Sequence, residues 1–311
     1  MTNYSKLPFV TLSASRTLAT EIRYPTQVAA GSQRELTGAN PVAHVGGYPT
    51  IVFAHGYDVT PDKYKTLLDS WVRAGFVVVA PIFPEESPSA VRARHGANTE
   101  WDLVNEPGDL AFVTKAVLQA STSESATCPI AYGLVQASEI ALAGHSDGAT
   151  AVGMLAYDRG NGPLGVPYAS LRAGITYRAV MILSGIQDTA QPYAADASRL
   201  NLLVIGSLDD RCVPFRKMTG LYDVIHQPNK WFLELRTAHH LPPFDGADLS
   251  AFGVVAATSI MFLQQSLEVA PPANSLLALG NRRPSIARMF ASQPGPTLSK
   301  APAIVASCGP N

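Results

Sequence analysis

From residue 50 onward the chain alternates between short unbroken apolar runs and longer stretches with apolar residues at helical spacing. Residues 50–54 (TIVFA) form a β-branched apolar run that stops at His55-Gly56. Thr60-Pro61 then offers a helix N-cap with proline at the first helical position, and Tyr64, Leu67, Leu68, Trp71 and Val72 follow at helical spacing. Gly75 ends that helix, and 76–80 (FVVVA) is a second apolar run. The rhythm repeats: a helix opened by Glu106-Pro107-Gly108, a strand at 140–143 (IALA) and a helix over 147–155. Strands at 179–183, 202–205 and 231–235 come next, and a long apolar helix over 251–267 ends the series. Unbroken apolar strands alternating with helices predict an α/β fold, with a mostly parallel central sheet covered by helices on both faces.

The pattern divides the chain into residues 1–44, edge strands and turns of the same domain, 45–270, the α/β body, and 271–311, a Pro-rich tail. One short helix is expected in the tail, around 286–290. Two stretches, 84–105 and 158–178, are long irregular links of the kind that serve as binding loops or lids.

Composition narrows the function classes. Of the 311 residues 47% are hydrophobic and 15% charged, which supplies a core and excludes disorder along the whole chain. The net charge of −1 carries no basic excess, so no nucleic-acid partner is expected. No run approaches the length of a bilayer span, so no membrane span is expected either. The N-terminus, MTNYSKLPFV, lacks a basic start followed by an apolar run, and the expectation is a cytoplasmic protein. Cys128, Cys212 and Cys308 are too few and too scattered for a disulfide framework or a zinc knuckle, although a Cys128–Cys308 bridge would favour export.

The chemistry centres on Gly144-His145-Ser146-Asp147-Gly148, a G-x-S-x-G pentapeptide. Alone the motif is weak, but here an apolar strand enters it and a helix leaves it. Such a turn is too tight for flanking side chains, which explains both glycines, and it exposes the central hydroxyl above the sheet. A serine hydroxyl needs a base oriented by a carboxylate, in the chain order Ser, acid, His. Asp209 and Asp210 follow the strand at 202–205, and the pair His239-His240 follows the strand at 231–235. From the residues alone either carboxylate and either imidazole could serve. A second backbone N–H for an oxyanion must come from the His55-Gly56-Tyr57 loop, where Gly56 permits close approach. His55 itself reads as a buttress of that loop. His44, His95, His145 and His226 show no metal-ligand spacing, so neither metal nor organic cofactor is expected.

The segments FAHGY (53–57), FVVVAPIFP (76–84), LAGHSDGA (142–149), IGSLDDRCVP (205–214) and HHLPPF (239–244) together resemble the α/β-hydrolase serine esterases. The likeness is greatest to the branch holding dienelactone hydrolase-like proteins, platelet-activating-factor acetylhydrolases, chlorophyllases and cutinase-like polyester hydrolases, and it covers about 45–265. The resemblance implies Ser146 as nucleophile, with the backbone N–H groups of Asp147 and Tyr57 as oxyanion donors. It implies Asp210 as the acid, four residues before Pro214, and His240, followed by Leu241-Pro242, as the base.

The expectation is a serine hydrolase cleaving carboxylic esters through an acyl-enzyme. The alternatives are a peptidase or acyltransferase with the same triad, or a binding module without catalysis. No large cap insertion is evident between Leu183 and Leu202, so an open cleft for small-molecule or polymer esters is expected, with Gly56, Tyr57, Trp101, Tyr168 and Ile186 as lining candidates. The carboxylate of Asp147, unusual directly after the nucleophile, would favour a cationic substrate group such as choline.

Overall fold

The apolar runs lie side by side in one nine-stranded sheet, ordered β1-β2-β4-β3-β5-β6-β7-β8-β9. The strands are β1 (Thr2–Tyr4), β2 (Arg16–Arg23), β3 (Tyr48–Ala54), β4 (Val77–Ile82), β5 (Val135–His145), β6 (Tyr177–Leu183), β7 (Asn201–Ser207), β8 (Lys230–Leu235) and β9 (Ala287–Ala291). This computed structural model describes residues 2–4, 16–27, 36–93, 100–123, 129–162, 165–186, 200–267 and 273–292. β3 to β8 pair in parallel, while β1, β2 and β9 add antiparallel edges.

Both faces of the sheet are covered, which is why its central strands read as unbroken apolar runs. Along β3, Ile51 and Phe53 point to one side and Val52 and Ala54 to the other. The first side packs on α1 (Lys65–Arg73) and α8 (Leu249–Ser266), through Leu67, Trp71, Val255 and Phe262. The second packs on α3 (Glu106–Thr122), α4 (Asp147–Tyr157) and α6 (Phe215–Val224). α8 is long and apolar enough to cross a membrane by length and composition. Its buried positions, Ala251, Val254, Val255, Thr258, Ser259, Phe262 and Leu263, recur at i, i+3 and i+4 and lie against the sheet. Asp248 caps it by accepting from the N–H groups of Ser250 and Ala251.

Several expectations need correction. The segment around 286–290 is the edge strand β9, not a helix; Ala287 and Met289 are buried while Arg288 is exposed, a period of two that pairs with β8. Thr60 occupies a capping position without a side-chain hydrogen bond, and the segment opens as a 3-10 turn, Pro61–Tyr64, before α1. The stretch 84–105 contains α2 (Pro88–Ala93) and a 3-10 turn, Glu100–Val104. Within 158–178 lies α5 (Tyr168–Arg172). The link between Leu183 and Leu202 falls mostly outside the described residues.

One long-range tie holds the N-terminal edge to the body. Arg16 of β2 makes a two-pronged contact with Asp102 (2.8 and 3.0 Å) and reaches Asp109 of α3 at 2.8 Å. Asp102 also accepts from the Glu85 N–H at 3.3 Å and from Asn105 Nδ2 at 2.7 Å. β2 thereby anchors both ends of the loop region that follows β4.

Candidate active site

The loops that follow β3, β5, β7 and β8 converge at the carboxyl ends of the parallel strands, the usual ligand-binding edge of such a sheet. Ser146 directly follows β5. Its N–H donates to the Leu183 carbonyl of β6 (3.0 Å), carrying the ladder one residue past the strand. Its own carbonyl receives the Thr150 N–H (3.0 Å), the first bond of α4. Between these two commitments the residue sits at φ 57°, ψ −123°, strained backbone for a side-chain-bearing residue. The hydroxyl is thereby raised at the N-terminus of α4, where free N–H groups and the helix dipole favour negative charge.

Gly148 is forced by packing. A Cβ there would overlap the His55 carbonyl oxygen and stand 2.5 Å from that of Ala54, so the β3 loop crosses directly over α4. Gly56 faces Ser146 closely enough that a Cβ on it would lie 3.0 Å from that of Ser146.

Asp210 is buried in the loop after β7. The N–H groups of Cys212 and Val213 both donate to its Oδ1 at 2.9 Å, leaving Oδ2 for His240 Nδ1 at 2.8 Å. A carboxylate acceptor puts the imidazole proton on Nδ1, so Nε2 turns its lone pair to Ser146 Oγ, 3.0 Å away. Ser207 donates its hydroxyl to the Ala238 carbonyl, tying the loop after β7 to the loop after β8. Their neighbours take no part: His239 is exposed and lies 3.5 Å from Asp209, whose other oxygen is 4.0 Å from Arg211. The alternatives that the residues left open thus separate geometrically: Ser146, His240 and Asp210 form one hydrogen-bonded chain, and His239 and Asp209 stand outside it.

His55 is fully buried between two backbone groups. Its Nε2 accepts the Phe83 N–H at 3.0 Å, which leaves Nδ1 as the donor to the Gly56 carbonyl at 2.8 Å. That carbonyl and the Tyr57 N–H belong to one planar trans peptide and point oppositely. Holding the one therefore aims the other. Burial lowers the His55 pKa to about 4, so the ring is neutral, as both bonds require. The next residue, Asp58, has φ 57°, and its N–H is held by the Glu86 carbonyl at 2.9 Å.

Behind this loop Glu86 and Glu106 bury their carboxyl groups side by side. Burial first, then the charge and hydrogen bond of Glu86, push the Glu106 pKa well above the usual carboxylate range. The Asp147 charge is felt by Glu106 and by Tyr64, and its Oδ2 is shielded from solvent. The residue as a whole is half-buried.

Of the other lining candidates, Tyr57 is half-buried on the loop after β3, and Ile186 reaches the rim with its N–H 3.3 Å from Thr150 Oγ1. Tyr168, the first residue of α5, is buried in the core. Trp101 falls in the 3-10 turn Glu100–Val104, and its side chain lies outside the described residues. Among the described residues, Asp210, Cys212 and His240 bring three potential metal-ligand atoms within 4.8 Å. Cys212 is disulfide-bonded and therefore offers no thiolate.

The chlorophyllase family profile matches residues 17–173. The chain belongs to the chlorophyllase family. This makes it a serine hydrolase of the α/β-hydrolase type, from a family of hydrolases acting on esters. The matched stretch contains the β3 loop and Ser146 but ends before Asp210 and His240, whose association with Ser146 rests on the geometry. No curated protein matches the chain.

Sequence reasoning missed Tyr64 and the Glu86–Glu106 pair. Tyr64 reads as one apolar position in a helical stripe, and nothing in the stripe distinguishes its hydroxyl.

Proposed function

We propose that this protein hydrolyses carboxylic esters through a Ser146–His240–Asp210 triad. The observation that carries the reading is the pair of contacts at His240: 3.0 Å from Nε2 to Ser146 Oγ and 2.8 Å from Nδ1 to Asp210 Oδ2. Ser146 Oγ attacks the ester carbonyl as its proton passes to Nε2. Asp210 holds the tautomer and supports the imidazolium. The backbone N–H groups of Tyr57 and Asp147 receive the oxyanion. Collapse expels the alcohol, protonated by His240, and leaves an acyl-enzyme. Water, deprotonated by the same ring, then releases the acid and regenerates Ser146.

The chemistry draws on these groups alone. The half-exposed position of Ser146 favours small or surface-presented esters. The test is a panel of p-nitrophenyl esters combined with fluorophosphonate labelling and mapping of the labelled peptide. Wild-type protein turns over short esters and is labelled at Ser146, and Ser146→Ala loses both. Ester turnover by folded Ser146→Ala at the wild-type rate would end the proposal.

A further inference from the structure

His145, the variable residue before the nucleophile in G-x-S-x-G, is buried, and each ring nitrogen has a partner. Nε2 lies 3.1 Å from the backbone carbonyl of His240, and Nδ1 lies 2.8 Å from Tyr64 Oη. Tyr64 Oη in turn lies 3.2 Å from the Gly56 N–H. The two ends fix every direction between them. A carbonyl can only accept, so His145 Nε2 carries the proton and Nδ1 is the acceptor. Tyr64 must then donate its hydroxyl to Nδ1, and its oxygen accepts from Gly56 N–H. Burial, and after it the charge of His240, hold the His145 pKa well below its usual value, in keeping with a neutral ring.

We infer that Tyr64 and His145 are positioning residues that couple the oxyanion loop to the base loop through the nucleophile elbow. The inference rests on the esterase reading and deepens it. Tyr64 holds the Gly56 N–H, in the peptide before Gly56, while His55 holds the Gly56 carbonyl, in the peptide before Tyr57, so both peptide planes that flank Gly56 are pinned. The same chain ends on the backbone of His240, whose ring stands 4.5 Å from that of His145. A displacement of either loop is therefore carried to the other through one hydroxyl and one imidazole. No other residue type in the interior offers an acceptor and a donor at this separation except an amide such as glutamine.

The test uses Tyr64→Phe, His145→Leu, His145→Gln and the double variant Tyr64→Phe/His145→Leu, with p-nitrophenyl acetate as substrate. Tyr64→Phe and His145→Leu are each expected to lower kcat by roughly 10- to 100-fold through misplacement of reacting groups, with KM within about threefold. The double variant falls no further than the worse single one, because both break one chain. His145→Gln, which can accept from Tyr64 and donate to His240, recovers most of the kcat lost with leucine. Wild-type kcat in both single variants, multiplicative losses in the double, or glutamine no better than leucine would each overturn the inference. If His145→Leu does not fold, Tyr64→Phe, which removes one oxygen, decides alone by its kcat against its KM. Wild-type protein that neither turns over esters nor takes the fluorophosphonate label would instead bring down the esterase reading, and this inference with it.

Discussion

The backbone carbonyl of His55 occupies the space that any side chain at Gly148 would need. This one contact fixes how the loop after β3 rides over the first turn of α4, and hence where the Tyr57 and Asp147 N–H groups stand relative to Ser146. Neither partner can yield cheaply, because the second obstacle at 2.5 Å is also backbone, the Ala54 carbonyl oxygen. Gly148→Ala is therefore expected to displace the loop, lowering kcat on the order of 100-fold and stability by about 1–3 kcal/mol. Ester kinetics and a thermal melt check both. An alanine variant with the wild-type kcat would mean that the loop position is irrelevant to the rate.

The adjacent pairs Asp209-Asp210 and His239-His240 give a sharper comparison, since each holds one engaged and one disengaged residue of the same type. The His240 side chain is 16% exposed and lies between a carboxylate and a hydroxyl, whereas His239 is 57% exposed. His240→Ala is expected to reduce kcat by roughly 10³- to 10⁴-fold, and Asp210→Asn by a similar factor because it permits the wrong tautomer. His239→Ala and Asp209→Asn should leave kcat within about twofold, as surface changes away from the reacting groups do. Equal losses at positions 239 and 240 would contradict the assignment.

How far the sequence reached depends on the range of the interaction. Strands β3 to β8 were legible because burial on both faces makes each a continuous apolar run, and the elbow because tight turns demand glycine at 144 and 148. Strand β9 was not, since five residues with only Ala287 and Met289 buried carry too short an alternation to tell from a turn of helix. The choice of His240 over its neighbour came from the spacing to Pro242, carried by a resemblance; nothing local in a His-His pair says which ring turns inward. Arg16 with Asp102, 86 positions apart, and Tyr64 with His145, 81 apart, left no trace in periodicity, because a polar tip on a buried body scores only as its body.

Acid should unlock the loop after β3. In the folded protein His55 has its pKa lowered to about 4 from the 6.5 of a free imidazole, mainly by burial. Between these values the unfolded chain binds a proton that the folded one refuses, so stability is lost as pH falls from 6.5 towards 4. The shift corresponds to about 3 kcal/mol. Buried acids act in the opposite sense: burial raises Asp109 to about 7 from 3.8, and its contribution is lost as pH rises across that window. The whole-protein curve mixes both, so the readout is a difference. The stability gap between wild type and His55→Asn, from urea unfolding, should narrow by about 3 kcal/mol between pH 7 and pH 4. A gap that stays constant over this interval would show that His55 takes up a proton in the native loop as readily as in the unfolded chain.

The last prediction concerns the acid loop. Cys212 is disulfide-bonded, and its N–H is one of the two that hold Asp210 Oδ1, at 2.9 Å. A covalent tether thus ends two residues from Asp210. The other two cysteines of the chain, Cys128 and Cys308, lie outside the described residues, and so does the expectation of a bridge between them. Disulfides persist in oxidising surroundings, and we propose such a compartment in place of the cytoplasm expected from the N-terminal residues. Cys212→Ser, or reduction under native conditions, should lower stability by about 2–4 kcal/mol, as the loss of a native disulfide does. It should also lower kcat more than it raises KM, because the group displaced is Asp210 and not a substrate contact. Thermal melts and ester kinetics with and without reductant make the comparison, and thiol counting under denaturing conditions checks its premise. Three free thiols in freshly purified, oxidised protein would remove the tether, and with it any reason for the acid loop to respond to redox conditions.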